Sequence, residues 1–222
     1  MKFVHPEINR VFDLDNGFIN TLIIESPDFF RKLLEDIHCQ IDGEGGKSVI
    51  SLNDTPVDFG KYAEILDIFV PFDINRKTLL TKIGTALEKN AFSPEHTEAS
   101  YILMRDIEMY LDRIAFDFPC DICFPKLSVS ALIKAVSPQL RDEYTELAEK
   151  VIDYMELTEV FDRKKLFFTV NMRSFVSDPE MELFSQTAIS HGYQILMLEG
   201  FAHSKLSSEN RLIIDHDLCE IG

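Results

Sequence analysis

The sequence predicts an α/β fold in which the two ends of the chain form one head and a helical segment is inserted between them. Two apolar runs near the C terminus, KKLFFTVNM and YQILMLEG, are typical of strands buried on both faces. Short alternating segments near the N terminus also predict strands, whereas residues 58–113 show helical spacing and no convincing strand. The predicted limits are 1–60 with 155–222 for the head and 61–154 for an α-helical leg.

The first 60 residues predict strands on either side of one helix. Asn16-Gly17 separates FVHPEINRVFDLD from FINTLIIES and predicts a hairpin turn. Ser26 is a candidate N-cap, with Pro27 at the first helical position and Asp28 in the first turn. The helix should end near the glycines that follow, after which SVISLND predicts a strand and TPVDF a turn.

The rest of the chain predicts helices and then a return to strands. The segment from Ser93 combines an N-cap residue, a proline and early acidic residues, so a helix should begin there. Pro138 should interrupt a long helical stretch over 127–160. The order of KKLFFTVNM, the capped helix SDPEMELFSQTAISHG, YQILMLEG and RLIIDHD then predicts a parallel crossover.

The tripeptide GKS at 46–48 has the ending of a phosphate-binding P-loop, which needs G-x-x-x-x-G-K-[ST] between a strand and a helix. Ile41 stands where the first glycine is required, and the predicted order is reversed, with a helix before the loop and a strand after it. We therefore interpret the segment as a helix-to-strand turn with Gly43 as C-cap, and expect no nucleotide. Glu199 ends an apolar strand, where P-loop enzymes place a magnesium ligand, but we interpret it as an ordinary strand-end acid.

Composition limits the functions that the chain can have. The net charge is -16, from 38 acidic and 22 basic residues, so the average surface repels polyanions. Binding of nucleic acid would need a local concentration of positive charge. No apolar run reaches the ~20 residues that span a bilayer, so no membrane is expected. Four cysteines do not form a disulfide framework, and a reducing cytoplasm is the expected location.

Several small clusters are candidate sites. Cys120 and Cys123 form a CxxC between prolines and aromatic residues, and we interpret both as buried apolar thiols rather than zinc ligands or a redox pair. Asp117 and Asp121, with Asp112 nearby, could offer oxygens to calcium, but no EF-hand spacing is present and a solvated loop is favoured. No nucleophile or base in a recognisable arrangement suggests a catalytic residue.

The basic residues are sparse, but three of them have an ordered spacing. Lys126, Lys134 and Arg141 are separated by eight and seven residues, so one continuous helix would place them near one face. Lys150 lies nine residues beyond and would sit farther round. Taken alone, such residues are more often simply solvated.

The organisation resembles the small adaptation protein of type II-A CRISPR systems, the ring-forming member of the Csn family. The resemblance spans nearly the whole chain. It is carried by Met1-Lys2-Phe3 at the first strand, by the turn at 42–44 after a helix, and by FDRKKLFFTVNM followed by YQILMLEG. These are patterns of hydrophobicity and position rather than invariant motifs.

The resemblance implies a head similar to a RecA-type ATPase without working Walker motifs, in a protein that is not an enzyme. It implies a homotetrameric ring that encloses double-stranded DNA at free ends, is stabilised by calcium, and supports spacer acquisition beside the integrase subunits and the effector nuclease. The channel lysines of the family correspond here to Lys126, Lys134 and Arg141, to which we add Lys150. The calcium-binding loop corresponds to the segment of Asp117 and Asp121.

Two other hypotheses fit the sequence. One is a degenerate P-loop-like ATPase subunit that regulates a partner and binds nucleotide near Glu199. The other is an interaction scaffold whose acidic surface binds a basic protein and which has no affinity for DNA.

Overall fold

A computed structural model describes all 222 residues as a mixed α/β protein with two sheets and seven α-helices. The chain divides into two compact units, which are described separately. Residues 1–74 and 143–222 form the first unit and contain both sheets, and residues 75–142 form the second, which is helical. No helix is long and apolar enough to cross a membrane.

The elements of the first unit alternate along the chain. Its strands are β1 (Lys2–Val4), β2 (Phe12–Asp13), β3 (Ile19–Ile24), β4 (Val49–Leu52), β5 (Thr55–Val57), β6 (Ala63–Leu66), β7 (Leu166–Val170), β8 (Gln194–Glu199), β9 (Glu209–Ile214) and β10 (Glu220–Ile221). Its helices are α1 (Pro27–Ile41), α2 (Phe59–Tyr62), α6 (Leu147–Asp162) and α7 (Asp178–His191). The helices of the second unit are α3 (Lys77–Ala91), α4 (Thr97–Ala115) and α5 (Val129–Val136).

A six-stranded sheet in the order β10-β9-β3-β8-β7-β6 forms the centre of the first unit. All neighbouring pairs are parallel except β10 with β9. Every residue of β7 is buried, as is every residue of β8 after Gln194. The prediction of two strands buried on both faces is therefore confirmed, and the apolar composition of these strands suits the interior of a parallel sheet.

The predicted hairpin at Asn16-Gly17 is wrong. A turn is present, with Gly17 at φ +74° and the Phe18 N–H donating to Asn16 Oδ1 at 3.0 Å. However, β2 belongs to a second, antiparallel sheet of order β2-β1-β4-β5, and β3 belongs to the large sheet. All six residues of β3 are buried, so this strand fits between two parallel partners better than in a half-exposed hairpin.

A different segment forms a hairpin. Residues Thr55–Val57 pair with β4, so the prediction of a turn there is wrong. The turn is Asn53-Asp54, whose φ angles are +50° and +60°. Two central residues with positive φ are characteristic of a type I′ turn, which matches the twist of the strands that it joins.

Strand β6 was not predicted. It pairs in parallel with β7 at one edge of the large sheet, within the stretch 58–113 that was expected to have no strand. Four residues are too few for a periodic pattern to be recognised, and only the pairing with β7 defines the strand. The first unit thus contains β6 and all of α6, whereas the sequence limits assigned 61–154 to the leg.

Helix α1 connects the two sheets through the core. Phe29, Leu33 and Ile37 recur on one face and are buried in the same cluster as residues from both sheets. The helix begins at Pro27, as predicted, although the Ser26 side chain makes no capping hydrogen bond. At its end Gly43 has φ +85° and its N–H donates to the Gln40 carbonyl, while the next N–H donates to the Cys39 carbonyl. This is a Schellman motif, in which a left-handed glycine stops the helix as predicted.

Helix α7 is also formed as predicted. Ser177 and Glu180 make a reciprocal capping box at its start, and Gly192 at φ +74° ends it. In the second unit α4 begins at Thr97 rather than next to Ser93, because the Ser93 carbonyl accepts from His96 and Thr97 in a preceding turn.

Helix α5 is short because local signals stop it at both ends. The Ser128 hydroxyl accepts a hydrogen bond from the Ala131 N–H at its start. Ser137 adopts a left-handed conformation at its end, immediately before Pro138. The predicted interruption at Pro138 is confirmed.

Candidate functional site

Charge is divided unequally between the two units. The unit 75–142 contains nine Lys or Arg and nine Asp or Glu and is neutral. The other unit contains 13 basic and 29 acidic residues and so carries the whole net charge of -16. A polyanion would therefore meet the least repulsion at the helical unit.

A groove lies between α3 and α5 in this unit. Its volume is about 580 Å³. Leu80 and Ile133 contribute apolar surface, and most other lining side chains are small or polar. Lys77 lines the groove from α3 and Lys134 from α5, and both are exposed. The groove thus combines two cations and one carboxylate, Glu88, with hydroxyl and amide groups. Lys77 and Lys134 are the groups that suit an anionic ligand with hydrogen-bond acceptors.

At one end of the groove the Asn75 side chain makes two hydrogen bonds to the backbone of Leu140. The Asn75 amide donates to the Leu140 carbonyl at 3.2 Å and its oxygen accepts from the Leu140 N–H at 2.7 Å. This pair fixes the segment after α5 beside the first turn of α3. That turn has no side-chain cap, so its N–H groups, with their positive dipole end, lie next to Lys77.

The structure distributes the predicted basic residues differently from a single helix. Lys126 precedes α5, Lys134 lies within it and Arg141 follows it. The expectation that one helix places these three near one face is wrong, because Ser137 and Pro138 end the helix between the second and the third. All three remain exposed, and all belong to the neutral unit.

Lys150 differs from these three residues in its unit and in the charge of its surroundings. It belongs to the other unit, on α6, whose 16 residues include five acidic ones. It is half-buried and has an interaction partner of its own. Its surroundings suit a polyanion less well than those of Lys134.

The proposed calcium ligands do not form a site within one chain. Asp117 and Asp121 are both exposed in the segment after α4. No group of three or more His, Cys, Asp or Glu side chains is arranged to hold a metal ion. Calcium requires six to eight oxygens, so two solvated carboxylates do not fit it by themselves.

The interpretation of Cys120 and Cys123 as buried thiols is wrong. Both are exposed and free. The apolar neighbours that suggested burial are themselves exposed, including Phe118 and Phe124. Two prolines keep this segment irregular, so it has no face to bury.

The GKS tripeptide is a helix-to-strand turn between α1 and β4, as predicted. The backbone N–H groups of Lys47 and Ser48 both donate to the Asp36 carboxylate, the second at 2.9 Å. Lys47 Nζ lies 2.8 Å from Glu7 Oε1. The groups that would hold phosphate in a P-loop are thus occupied by carboxylates of the chain itself.

Glu199 is fully buried at the end of β8. Its Oε1 accepts from the Arg173 N–H at 3.3 Å, and its Oε2 lies 3.6 Å from His203 Nε2. Burial raises the pKa of Glu199 to about 7. Burial also lowers the pKa of His203. The Arg173 N–H is thus the hydrogen-bond donor to Glu199, while Oε2 and His203 Nε2 make no hydrogen bond, and the buried side chain is not exposed for a bound metal–nucleotide.

Sequence reasoning missed Lys77 and the groove that it lines. A signal was present, because Lys77, Thr81, Gly84 and Glu88 recur at intervals of three and four and so share one face of α3. These four positions hold two charged residues, a threonine and a glycine, so this face of α3 has a polar row beside the apolar Leu80.

Comparisons with known proteins were made for sequence and for structure. The sequence profile of the family described as "CRISPR-associated protein (Cas_Csn2)" matches residues 40–218. The fold is similar to the crystal structure of Stu0660 of Streptococcus thermophilus, with a TM-score of 0.57 at 14% identity, covering 97% of this chain and 74% of that chain. At this identity the likeness shows the fold alone. No curated individual protein matches the sequence.

Proposed function

Because the chain belongs to the Cas_Csn2 family of CRISPR-associated proteins, we propose that it supports spacer acquisition by binding double-stranded DNA ends without sequence preference and without catalysis. Membership of this family itself supports a role in CRISPR adaptation and so in antiviral defence. The finer statement, that this chain encloses DNA, is the proposal.

The observation that carries the proposal is the division of charge. The helical unit is neutral while the rest of the chain carries -16, and Lys77, Lys134, Lys126 and Arg141 are exposed on that unit. Lysines that contact phosphates give affinity without sequence specificity and a steep dependence on salt. Lys150, on an acidic helix, would make at most a weaker contact.

We propose that the protein acts as a homotetrameric ring, so that four copies of the neutral unit concentrate these cations around one duplex. Exposed apolar surface on the same unit supports self-association. Helix α4 has no buried residue, and Tyr101, Met109 and Tyr110 on it are each more than half exposed. Phe116, directly after the helix, is 87% exposed. A helix that buries none of its residues and exposes several large apolar side chains is a candidate for an interface with another copy.

We propose that the first unit is a RecA-type head that has lost nucleotide binding. The mainly parallel sheet supports this assignment, as does the occupation of the Lys47 and Ser48 N–H groups by Asp36. The same observations make a degenerate ATPase subunit the weaker hypothesis. The integrase subunits and the effector nuclease of the CRISPR system, in the cytoplasm, are the partners that we propose from the family.

We propose that calcium binds only at a site shared between two copies of the chain. Asp117 and Asp121 are too few for a site in one chain, so further oxygens would have to come from a neighbouring copy. Isothermal titration with calcium of wild type and of Asp117→Asn with Asp121→Asn tests this point. Equal heats from both proteins would exclude these residues as ligands.

The DNA proposal is tested by a mobility-shift assay with one duplex in linear and in covalently closed circular form. We expect the linear form to bind and the closed circle to bind at least tenfold more weakly, because a ring can load only from an end. Lys134→Glu with Arg141→Glu should abolish binding of the linear form. Light scattering of the same samples should give the mass of a tetramer.

A matched variant separates local from overall charge. Lys61→Glu with Lys205→Glu makes the same change of charge at exposed positions of the other unit. We expect it to retain most of the affinity. Equal losses in the two double variants would contradict a site on the helical unit, and a tetramer that ignores both DNA forms would contradict the function.

A further inference from the structure

A second groove lies on the first unit, between α6 and α7. Its volume is about 310 Å³. Ile152, Leu183 and Phe184 provide an apolar floor. Leu183 is 61% exposed, although it projects from a helix whose neighbouring positions pack into the unit. Thr187 lies one turn further along the same side of α7 and also lines the groove.

The rim of the groove on the α6 side is acidic. Glu149, Asp153 and Glu156 follow one another at intervals of four and three, so they form a row along one side of the helix, and Glu146 precedes them. Glu180 lines the α7 side but is engaged in the capping box with Ser177. No lysine or arginine lines this groove.

This acidic row is unfavourable for α6 itself. Like charges at i,i+4 and i,i+3 destabilise a helix. Lys150, three residues before Asp153 on the same helix, is one nearby cation and has an interaction partner of its own, but it does not line the groove. Acidic side chains of α6 also raise the pKa of a buried residue of the unit. The pKa of the buried Tyr193 is raised to about 12 by burial first and then by the charges of Glu156, Glu159 and Asp153. A row of carboxylates along a groove that no lysine or arginine lines is complementary in charge to a cationic ligand.

We propose that the α6–α7 groove docks a cationic amphipathic helix of a partner protein. Aliphatic side chains on one face of that helix would contact Leu183 and the apolar floor. Lysine or arginine residues on the flank next to α6 would pair with Glu149 and Glu156, and with Asp153. The Asp153 carboxylate also accepts from the Tyr144 hydroxyl at 2.8 Å. This interaction goes beyond DNA binding and uses the unit that does not carry the proposed DNA contacts.

The shape and charge of the groove favour this occupant over others. The lining residues span 146–156 next to α7 and 180–191 next to α6, so the groove is about 15 Å long and matches about three turns of a third helix. An amphipathic helix in such a channel uses apolar anchors at i, i+3, i+4 and i+7. A nucleic acid would be repelled by the acidic row, and a small cation would gain nothing from the apolar floor.

The test measures binding of a defined probe by the intact protein. The probe is a labelled 18-residue peptide of leucine and lysine, with all leucines on one helical face, and the readout is fluorescence anisotropy at about 0.15 M salt. We expect Leu183→Ser, and separately Glu149→Gln with Asp153→Asn and Glu156→Gln, to weaken binding at least tenfold. Both variants should still bind linear DNA, so a failure of this proposal is distinguishable from a failure of the DNA proposal.

Matched variants outside the groove control for the loss of charge and for the loss of an exposed aliphatic side chain. Asp42→Asn with Glu44→Gln and Asp217→Asn removes three exposed charges elsewhere on the same unit, and Ile68→Ser changes an aliphatic side chain that is 62% exposed. Both should bind the probe as wild type does. Equal losses in groove and control variants, or equal binding of a peptide with the same composition and scattered leucines, would overturn the proposal. A lower mass of the Leu183→Ser protein in light scattering would also overturn it, by assigning the groove to a second copy.

Discussion

At the scale of single residues, Glu199 links the stability of the fold to pH. Burial raises its pKa from 4.5 to about 7, against a hydrogen bond from the Arg173 N–H and the Arg173 charge. Between these two values the folded chain holds a proton that the unfolded chain releases. This group therefore makes the free energy of unfolding fall as pH rises from about 4.5 through 7, by up to ~3 kcal/mol.

Replacing Glu199 by glutamine should remove that pH dependence. The amide oxygen can still accept from the Arg173 N–H, and nothing has to ionise in the buried site. We expect Glu199→Gln to be about as stable as wild type near pH 4.5 and ~1–3 kcal/mol more stable at pH 8. Urea unfolding at both pH values measures this. Asp217→Asn, at an exposed position, should change neither value, and a variant that loses stability at pH 8 would contradict the pKa.

Replacement of Lys77 tests whether DNA binding depends on the groove or only on the overall charge of α3. We expect Lys77→Glu to weaken binding of linear DNA about tenfold, because the change places a negative charge beside the uncapped first turn of α3. Lys89→Glu makes the same change on the same helix at an exposed position outside the groove. It should cost much less affinity in the same mobility-shift assay. Equal effects would mean that α3 contributes only overall charge.

At the scale of elements, Asp36 fixes the connection from α1 to β4. Its carboxylate accepts from the N–H groups of Lys47 and Ser48. Asp36→Ala leaves both donors without this acceptor, and we expect a loss of ~1–3 kcal/mol in the free energy of unfolding. Glu35→Ala removes an adjacent carboxylate that only pairs with Arg31 at the surface, and should cost ~0.5 kcal/mol or less. Urea unfolding compares the two, and equal losses would contradict the role of Asp36.

Elements with strong local signals could be predicted from the sequence, and elements defined by distant partners could not. Helix α7 has its capping box and its final glycine in its own residues, and β7 is an uninterrupted apolar run. Strand β6 has four residues and exists because β7 pairs with it. The pairing of β3 with β8 and β9 likewise depends on segments about 176 and 190 residues away, which a local turn pattern cannot indicate.

The candidate site shows the same limit. Lys134 was recognised from spacing, but that spacing assumed a helix that ends before Arg141. The groove itself depends on the contact of α3 with α5, which are about 40 residues apart, so the polar spacing around Lys77 did not indicate which element it would face. Tertiary packing decides which side chains from different elements meet. Composition predicts the net charge of the chain but not where the charges lie.

At the scale of the whole molecule, the division of charge makes DNA binding depend on assembly. One chain carries -16, so a single copy is repelled by a duplex as it comes within about one Debye length, ~10 Å at 0.1 M salt, and beyond that distance salt screens the repulsion. Several neutral units brought together present their exposed lysines at short range, where the local positive charge determines whether a phosphate is attracted. Binding should therefore appear only in the assembled state.

Self-association should thus be separable by mutation from the lysines that contact DNA. Tyr110→Lys with Phe116→Lys adds two positive charges to the helical unit, which by charge alone would strengthen DNA binding. It also interrupts the exposed apolar surface of α4 and the residue after it, so we expect a smaller mass in light scattering. If assembly is required, linear DNA should be bound at least tenfold more weakly despite the added charge. Phe18→Lys with Val11→Lys, at exposed positions of the other unit, is the matched control and should keep the wild-type mass. A Tyr110→Lys, Phe116→Lys protein that loses mass yet binds DNA more tightly would show that charge acts without a ring.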